Sequence, residues 1–301
     1  MEKLSVEKVY ALLDKFKDDD KVKVFLENID FFENVCNYVL SQPKVEYDQN
    51  TKLSYVDESV SFNVAKEILL QLSPNYLELF NKYEQEGSIK KEDERANKHG
   101  SGIAQVRDGK IELEFGLHYD INDIFLIIHE FIHSLNIMKN DLTEKKELFS
   151  ESFSVYSEFL IVDYLQKNNI AMDENKDIIK LRMSELYKRF ARLKEYINII
   201  KYNNQNGIDT NCEIYIDDRI DFLASIDYSF AGIVAYILFN RNINGLFSNE
   251  EYMRLAEKIK WTNKDEMMRE LFPDGLDINE YISGYERVVS LINNENIDRN
   301  L

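Results

Sequence analysis

Two histidines and a glutamate fall within five residues of one another in the run His129-Glu130-Phe131-Ile132-His133. On a helix, the i, i+4 spacing of His129 and His133 puts both imidazoles on one face a turn apart, close enough to share one Zn²⁺. Glu130 is rotated about 100° from His129. From there its carboxylate can take a proton from a metal-bound water without ligating the metal, which is the chemistry of metal-assisted hydrolysis. Ile124, Phe125, Leu126, Ile127, Ile128, Phe131, Ile132 and Leu135 make the surrounding helix apolar nearly all round, so it is expected to be buried. A backbone carbonyl satisfies one core histidine, but three polar side chains so close together in an apolar setting need more partners. Metal ligation satisfies all three at once.

A third ligand must come from another element. Glu144, Glu147, Glu151, Ser154 and Glu158 recur at steps of three or four amid Leu148, Phe149, Phe153, Val155, Tyr156, Phe159 and Leu160. That spacing draws one polar stripe along a second helix. The stretch between His133 and Glu151 is long enough for the first helix to end, turn and send a second helix back against it. Glu144 reads as part of a solvated face, whereas Glu151 and Glu158 lie deeper in the apolar run and are expected to have a role. By geometry alone, Glu147 and Glu151 are both open as the third ligand.

The elements that position these residues can be read from periodicity and punctuation. Asn122 or Asp123 caps the first helix, which is expected to run to Asn140; Asp141 and Glu144 have capping-box spacing and open the second, to about Gln166. Upstream, residues 103–115 alternate about Asp108-Gly109, predicting a two-residue hairpin. Its second strand, residues 110–115, is expected to be an exposed edge able to pair with an extended peptide. Residues 45–56, with Asp48, Gln49 and Asn50, read as a hairpin or irregular extended segment, and residues 86–102 as a solvated loop. Helical spacing marks two short helices in the first forty residues and further helices over 62–84, 177–202, 217–240, 249–260 and 277–293. The expected fold is mainly α, with a small β-hairpin or sheet beside the active-site helix. His99 and His118 are ordinary loop histidines by position, with substrate contact as the alternative.

Composition narrows the class. Of 301 residues, 44% are apolar and only 10 are Gly and 3 Pro, which favours a helical globular fold with a core that does not depend on metal. A single catalytic domain over 1–301 is expected, with the helices of residues 1–42 packed on it. Asp and Glu outnumber Lys and Arg by 55 to 37, a formal charge of -18, so nucleic acid and anionic membranes are not expected as partners on charge grounds. Cys36 and Cys212 are the only cysteines and suggest reduced thiols. The first seventeen residues lack the apolar core of a signal peptide, and no run of eighteen apolar residues occurs, so a cytoplasmic protein is expected. Composition sets no oligomeric state.

The residues also resemble the thimet oligopeptidase and oligoendopeptidase F family of zinc peptidases. A strand, a short loop ending in Asn122-Asp123 and the apolar run 124–128 lead into the His-Glu-x-x-His motif as they do in that family. Glu151-Ser-Phe-Ser154-Val-Tyr-Ser-Glu158 is similar to the family's E-x-x-S-x-x-x-E pattern, whose first glutamate is the third ligand. The loop 97–102, the segment Tyr228-Ser-Phe-Ala-Gly232 and residues 272–291 extend the resemblance over about 45–294. It implies one Zn²⁺ held by His129, His133 and Glu151, Glu130 as general base, Tyr228 as oxyanion donor, and short or unstructured peptides as substrate. Ile132 stands where the family has glycine, and the interval to Glu151 is shorter than usual. The chain is also shorter than the family's usual length, which implies a wider cleft open to a dedicated protein substrate. Two other readings are a toxin-like zinc endopeptidase in which the first glutamate of Glu147-Leu-Phe-Ser-Glu151 ligates, and a non-catalytic helical scaffold that keeps a metal site.

Overall fold

A computed structural model describes residues 5–47, 53–93, 102–136, 149–170, 172–202, 218–258 and 264–292. Among these residues the fold is mainly helical with one small sheet. Three short helices come first: α1 (Val6–Lys15), α2 (Asp20–Glu27) and α3 (Ile29–Ser41). Ser5 and Asp19 cap the first two by accepting hydrogen bonds from the Lys8 and Lys21 amides. The spacing alone suggested two helices here. The turn between α1 and α2 and the near-continuity of α2 and α3 divide the same apolar stripe into three.

The long helix expected over 62–84 is broken. Leu72 ends α4 (Glu58–Leu72), Ser73 turns to extended backbone and its hydroxyl accepts the Asn75 amide, and Pro74 opens α5 (Pro74–Gln85) at its first position. A proline has no amide to complete the α4 ladder and fits the start of a helix, so the break is written in Ser73-Pro74. Residues 43–47 and 53–57 are irregular, as one of the two expected alternatives had it; the Val56 amide donates to the Tyr119 carbonyl at 2.9 Å. Asp48, Gln49 and Asn50 lie outside the described residues.

β2 (Gly102–Arg107) and β3 (Lys110–Leu117) form the expected antiparallel hairpin, with Asp108 and Gly109 both at positive φ, 52° and 77°. Part of the expected loop over 86–102 is instead β1 (Ile89–Asp93), which pairs parallel with β3 in the sheet order β1-β3-β2. Its sequence, Ile-Lys-Lys-Glu-Asp, has no apolar alternation. The pairing is secured from outside the strand, by Lys90 to Glu112 at 3.0 Å, by Lys91 to Glu58 at 2.8 Å and by Lys91 lying 3.8 Å over the Phe62 ring. The consequence is a correction: β3 is central, and β2 is the edge strand that borders the metal-motif helix.

That helix is α6 (Asn122–Asn136), and its apolar residues are buried as expected. Phe131 packs on Tyr76, Phe80 and Tyr83 of α5, with ring centroids 5.6, 5.8 and 6.4 Å away. α7 (Ser150–Lys167) lies against α6 on one side and α9 (Asp218–Ile243) on the other. α8 (Met172–Tyr202), α10 (Asn249–Lys258), α11 (Lys264–Leu271) and α12 (Ile278–Ile292) complete the described residues. In α9, residues 222–243 are long and apolar enough to cross a membrane, yet 83% of the most apolar eighteen-residue window is buried inside the fold, and the helix packs against α2, α7, α8 and α12.

Candidate metal centre

Asp123 fixes the start of α6. Its fully buried carboxylate accepts the His118 amide at 2.8 Å and the Tyr119 amide at 2.9 Å, which ties the end of β3 to the first turn of the helix. His118 lies at this junction, its Nδ1 3.5 Å from Asp123. Two turns on, His129 and His133 point at α7. Their Nε2 atoms are 3.0 Å apart, and each is 3.6 Å from Oε2 of Glu151. A single point lies about 2 Å from all three atoms, the length of a bond from a small transition-metal ion to nitrogen or carboxylate oxygen. His129, His133 and Glu151 thus form a group that can hold a metal ion. Glu147 and Glu144, and with them the capping-box turn, lie outside the described residues, as do His99 and Cys212.

The outward nitrogens are oriented too. His129 Nδ1 is 3.0 Å from Oε1 of Glu158, and His133 Nδ1 is 2.8 Å from the Ser150 hydroxyl. With hydrogens on both Nδ1 atoms, two lone pairs converge at Nε2, where a shared proton or a cation relieves their repulsion. Glu158 in turn lies 3.0 Å from Nε of Arg182 on α8, and the Ser154 hydroxyl donates to the His129 carbonyl at 3.4 Å. A role for Glu158 was expected from its depth; Ser150 and Arg182 were not anticipated. Ser150 sits one residue before Glu151, a signal available only once the helix start is known.

Burial by itself would push the His129 imidazolium down, but the carboxylates of Glu151 and Glu158 outweigh it and push its pKa up to about 10. Burial likewise opposes the charge on Glu151, and the two histidines overcome it, holding that carboxyl well below the usual range. Glu158 is also lowered, against its burial, chiefly by the charge of Arg182 and by His129. Glu151 and Glu158 are therefore tied to His129, His133 and Arg182, and Glu130 is buried one residue from His129.

Glu130 packs against Gly102 of the edge strand. A Cβ built on Gly102 would stand 2.9 Å from Cγ of Glu130 and 2.7 Å from Cδ1 of Leu126, so only glycine lets β2 lie this close to α6. Tyr228 on α9 is 37% exposed. The charge of Glu151 first, then burial and the charges of Asp227 and Glu130, push its phenol up, so it remains a neutral O–H donor throughout the neutral range. Tyr228 lies under Arg189 of α8, on the helix that packs against α7.

Substituting Glu158→Gln should weaken metal binding about 10- to 100-fold with the helices intact, as read by chelator competition. Unchanged affinity would mean that His129 is held by its own packing. Comparison with protein-family models, curated proteins and solved structures gives no match. The geometry itself defines the class: a helical protein with a partly buried His-His-Glu group beside a small sheet.

Proposed function

We propose that the chain is a zinc-dependent endopeptidase or oligopeptidase acting on short or unstructured peptides. The observation that carries this reading is the convergence of His129, His133 and Glu151 from two helices with Glu130 left unligated beside them. Two imidazoles and one carboxylate suit Zn²⁺ and leave a coordination position for chemistry. When bound, the ion supplies Lewis acidity to a scissile carbonyl and makes a water easier to deprotonate. Glu130 accepts the proton of the attacking water and passes it to the leaving amine. Tyr228, as a neutral phenol, donates a hydrogen bond to the developing oxyanion. Glu158 and Ser150 keep the imidazoles aimed inward. The resemblance to the thimet oligopeptidase and oligoendopeptidase F family supports the same assignment from sequence motifs.

The substrate backbone is proposed to run along β2 rather than β3, because β2 is the edge strand bordering Glu130. Gly102 then sets how closely strand and base approach. Gly102→Ala should lower kcat/KM about 10²-fold by displacing the Glu130 carboxylate, with metal content unchanged. Full activity in that variant would mean that Leu126 yields instead.

The direct test is cleavage of a mixed library of quenched, unstructured peptides by the zinc-loaded protein. Cut peptides would sustain the proposal and begin to define specificity. No cleavage at full zinc occupancy would remove general oligopeptidase activity.

A further inference from the structure

α8 and α9 approach closely beside the metal centre. At Gly232 an added Cβ would meet Cδ2 of Leu186 at 2.9 Å. About a turn along each helix from that point, Arg189 lies over the Tyr228 ring, its guanidinium carbon 5.3 Å from the centroid. Nη1 of Arg189 is buried and has no hydrogen-bond partner among the described residues. Neighbouring carboxylates are engaged by other cations: Asp227 by Lys21, Glu185 by Arg182, and Glu195 by Arg192. A guanidinium N–H removed from water without an acceptor is destabilising, and Tyr228 beneath it is 37% exposed.

We propose that Arg189 receives a carboxylate of the peptide substrate, and so selects peptides that carry one near the bond to be cut. This rests on the peptidase reading above. The guanidinium fork matches a carboxylate through paired hydrogen bonds. One cation faces one negative charge, whereas Glu151 and Glu130 close by, on a chain of formal charge -18, penalise a multiply charged anion such as a phosphate. The carboxylate is either the peptide's C-terminus or an Asp or Glu side chain.

The test reads binding without turnover. Labelled peptides are titrated onto the zinc-loaded Glu130→Gln protein, with and without Arg189→Gln, by fluorescence anisotropy. One pair of peptides differs only in a free or amidated C-terminus; a second, amidated series carries Glu or Gln at successive positions. With Arg189 present, the charged member of one series should bind about tenfold more tightly than its neutral partner, and that series identifies the source of the carboxylate. With Arg189→Gln the ratio should fall to about one, and with Arg189→Lys, which keeps the charge but loses the fork, it should lie between. Lys also serves if the Gln variant fails to fold, as judged by melting. A ratio near one with Arg189 present, the same ratio without it, or no peptide binding at all overturns the proposal. Absence of hydrolysis by the wild type alongside an Arg189-dependent ratio would instead remove the peptidase reading and leave Arg189 as a carboxylate-binding residue.

Discussion

Zinc-loaded Glu130→Gln protein should retain its metal and lose peptide hydrolysis by about 10³-fold or more. Glutamine is nearly isosteric with glutamate but cannot accept and return a proton, so the change removes proton transfer while leaving the cavity, the edge strand and the three ligand atoms in place. General-base catalysis alone is worth about 10²- to 10⁴-fold. Loss should therefore appear in kcat more than in KM, because Glu130 acts on the water and the leaving amine rather than on the bound peptide. Metal quantification in both proteins makes the comparison interpretable. A metal-replete variant that cleaves as fast as the wild type would move the base elsewhere, with Glu158 disfavoured by its engagement with His129 and Arg182. A variant that loses metal would show instead that Glu130 shapes the ligand set.

The second large effect is in pH. Protein stripped of metal by a chelator carries a proton on His129 that must leave before Nε2 can ligate, because the carboxylates of Glu151 and Glu158 push that pKa up to about 10. Metal affinity should therefore rise about tenfold per pH unit through the neutral range and flatten near the folded-state value. Between pH 6 and 9 this amounts to about a thousandfold. Glu151 adds no further proton to this count, since its carboxyl lies well below its usual range and is already ionised. Calorimetry in buffers of different ionisation enthalpy should find about one proton released per metal bound; none released, with an affinity flat in pH, would mean that His129 is neutral before the metal arrives. The same shift sets a stability window for the stripped protein. His129 has a folded value raised above its ordinary 6.5, so its contribution is fully present below 6.5 and is lost as pH rises through about 10. With the ion in the proton's place that dependence should disappear, which thermal melts of loaded and stripped protein can compare.

Much of the centre was legible locally because its spacing is helical. The i, i+4 histidines, the glutamate between them and the all-round apolar setting required a buried helix, and Asp108-Gly109 required a tight hairpin; both are present. Choosing Glu151 drew on the resemblance, and the fold brings Glu151 to the histidine pair. The break at Ser73-Pro74 was also local, but the apolar pattern continued across it and concealed it. β1 had no such signal, since a polar five-residue strand is made by its partner and by the contacts of its own Lys91 with Glu58 and Phe62 on α4. That strand turned the expected edge, β3, into the centre of the sheet.

Arg182 and Arg189 mark the limit of what the sequence by itself determined. On α8 they look like solvated residues of a polar helix, and nothing within the helix tells which arginine meets Glu158 and which lies over Tyr228. Sequence determined the chemistry available at the centre, because ligand type and helical period are local properties. Tertiary structure decided which carboxylate completes the group, which strand forms the edge, and which cations stand beside it. Those depend on how closely distant helices approach, and at Gly102 and Gly232 the approach is set by a side chain that is not there.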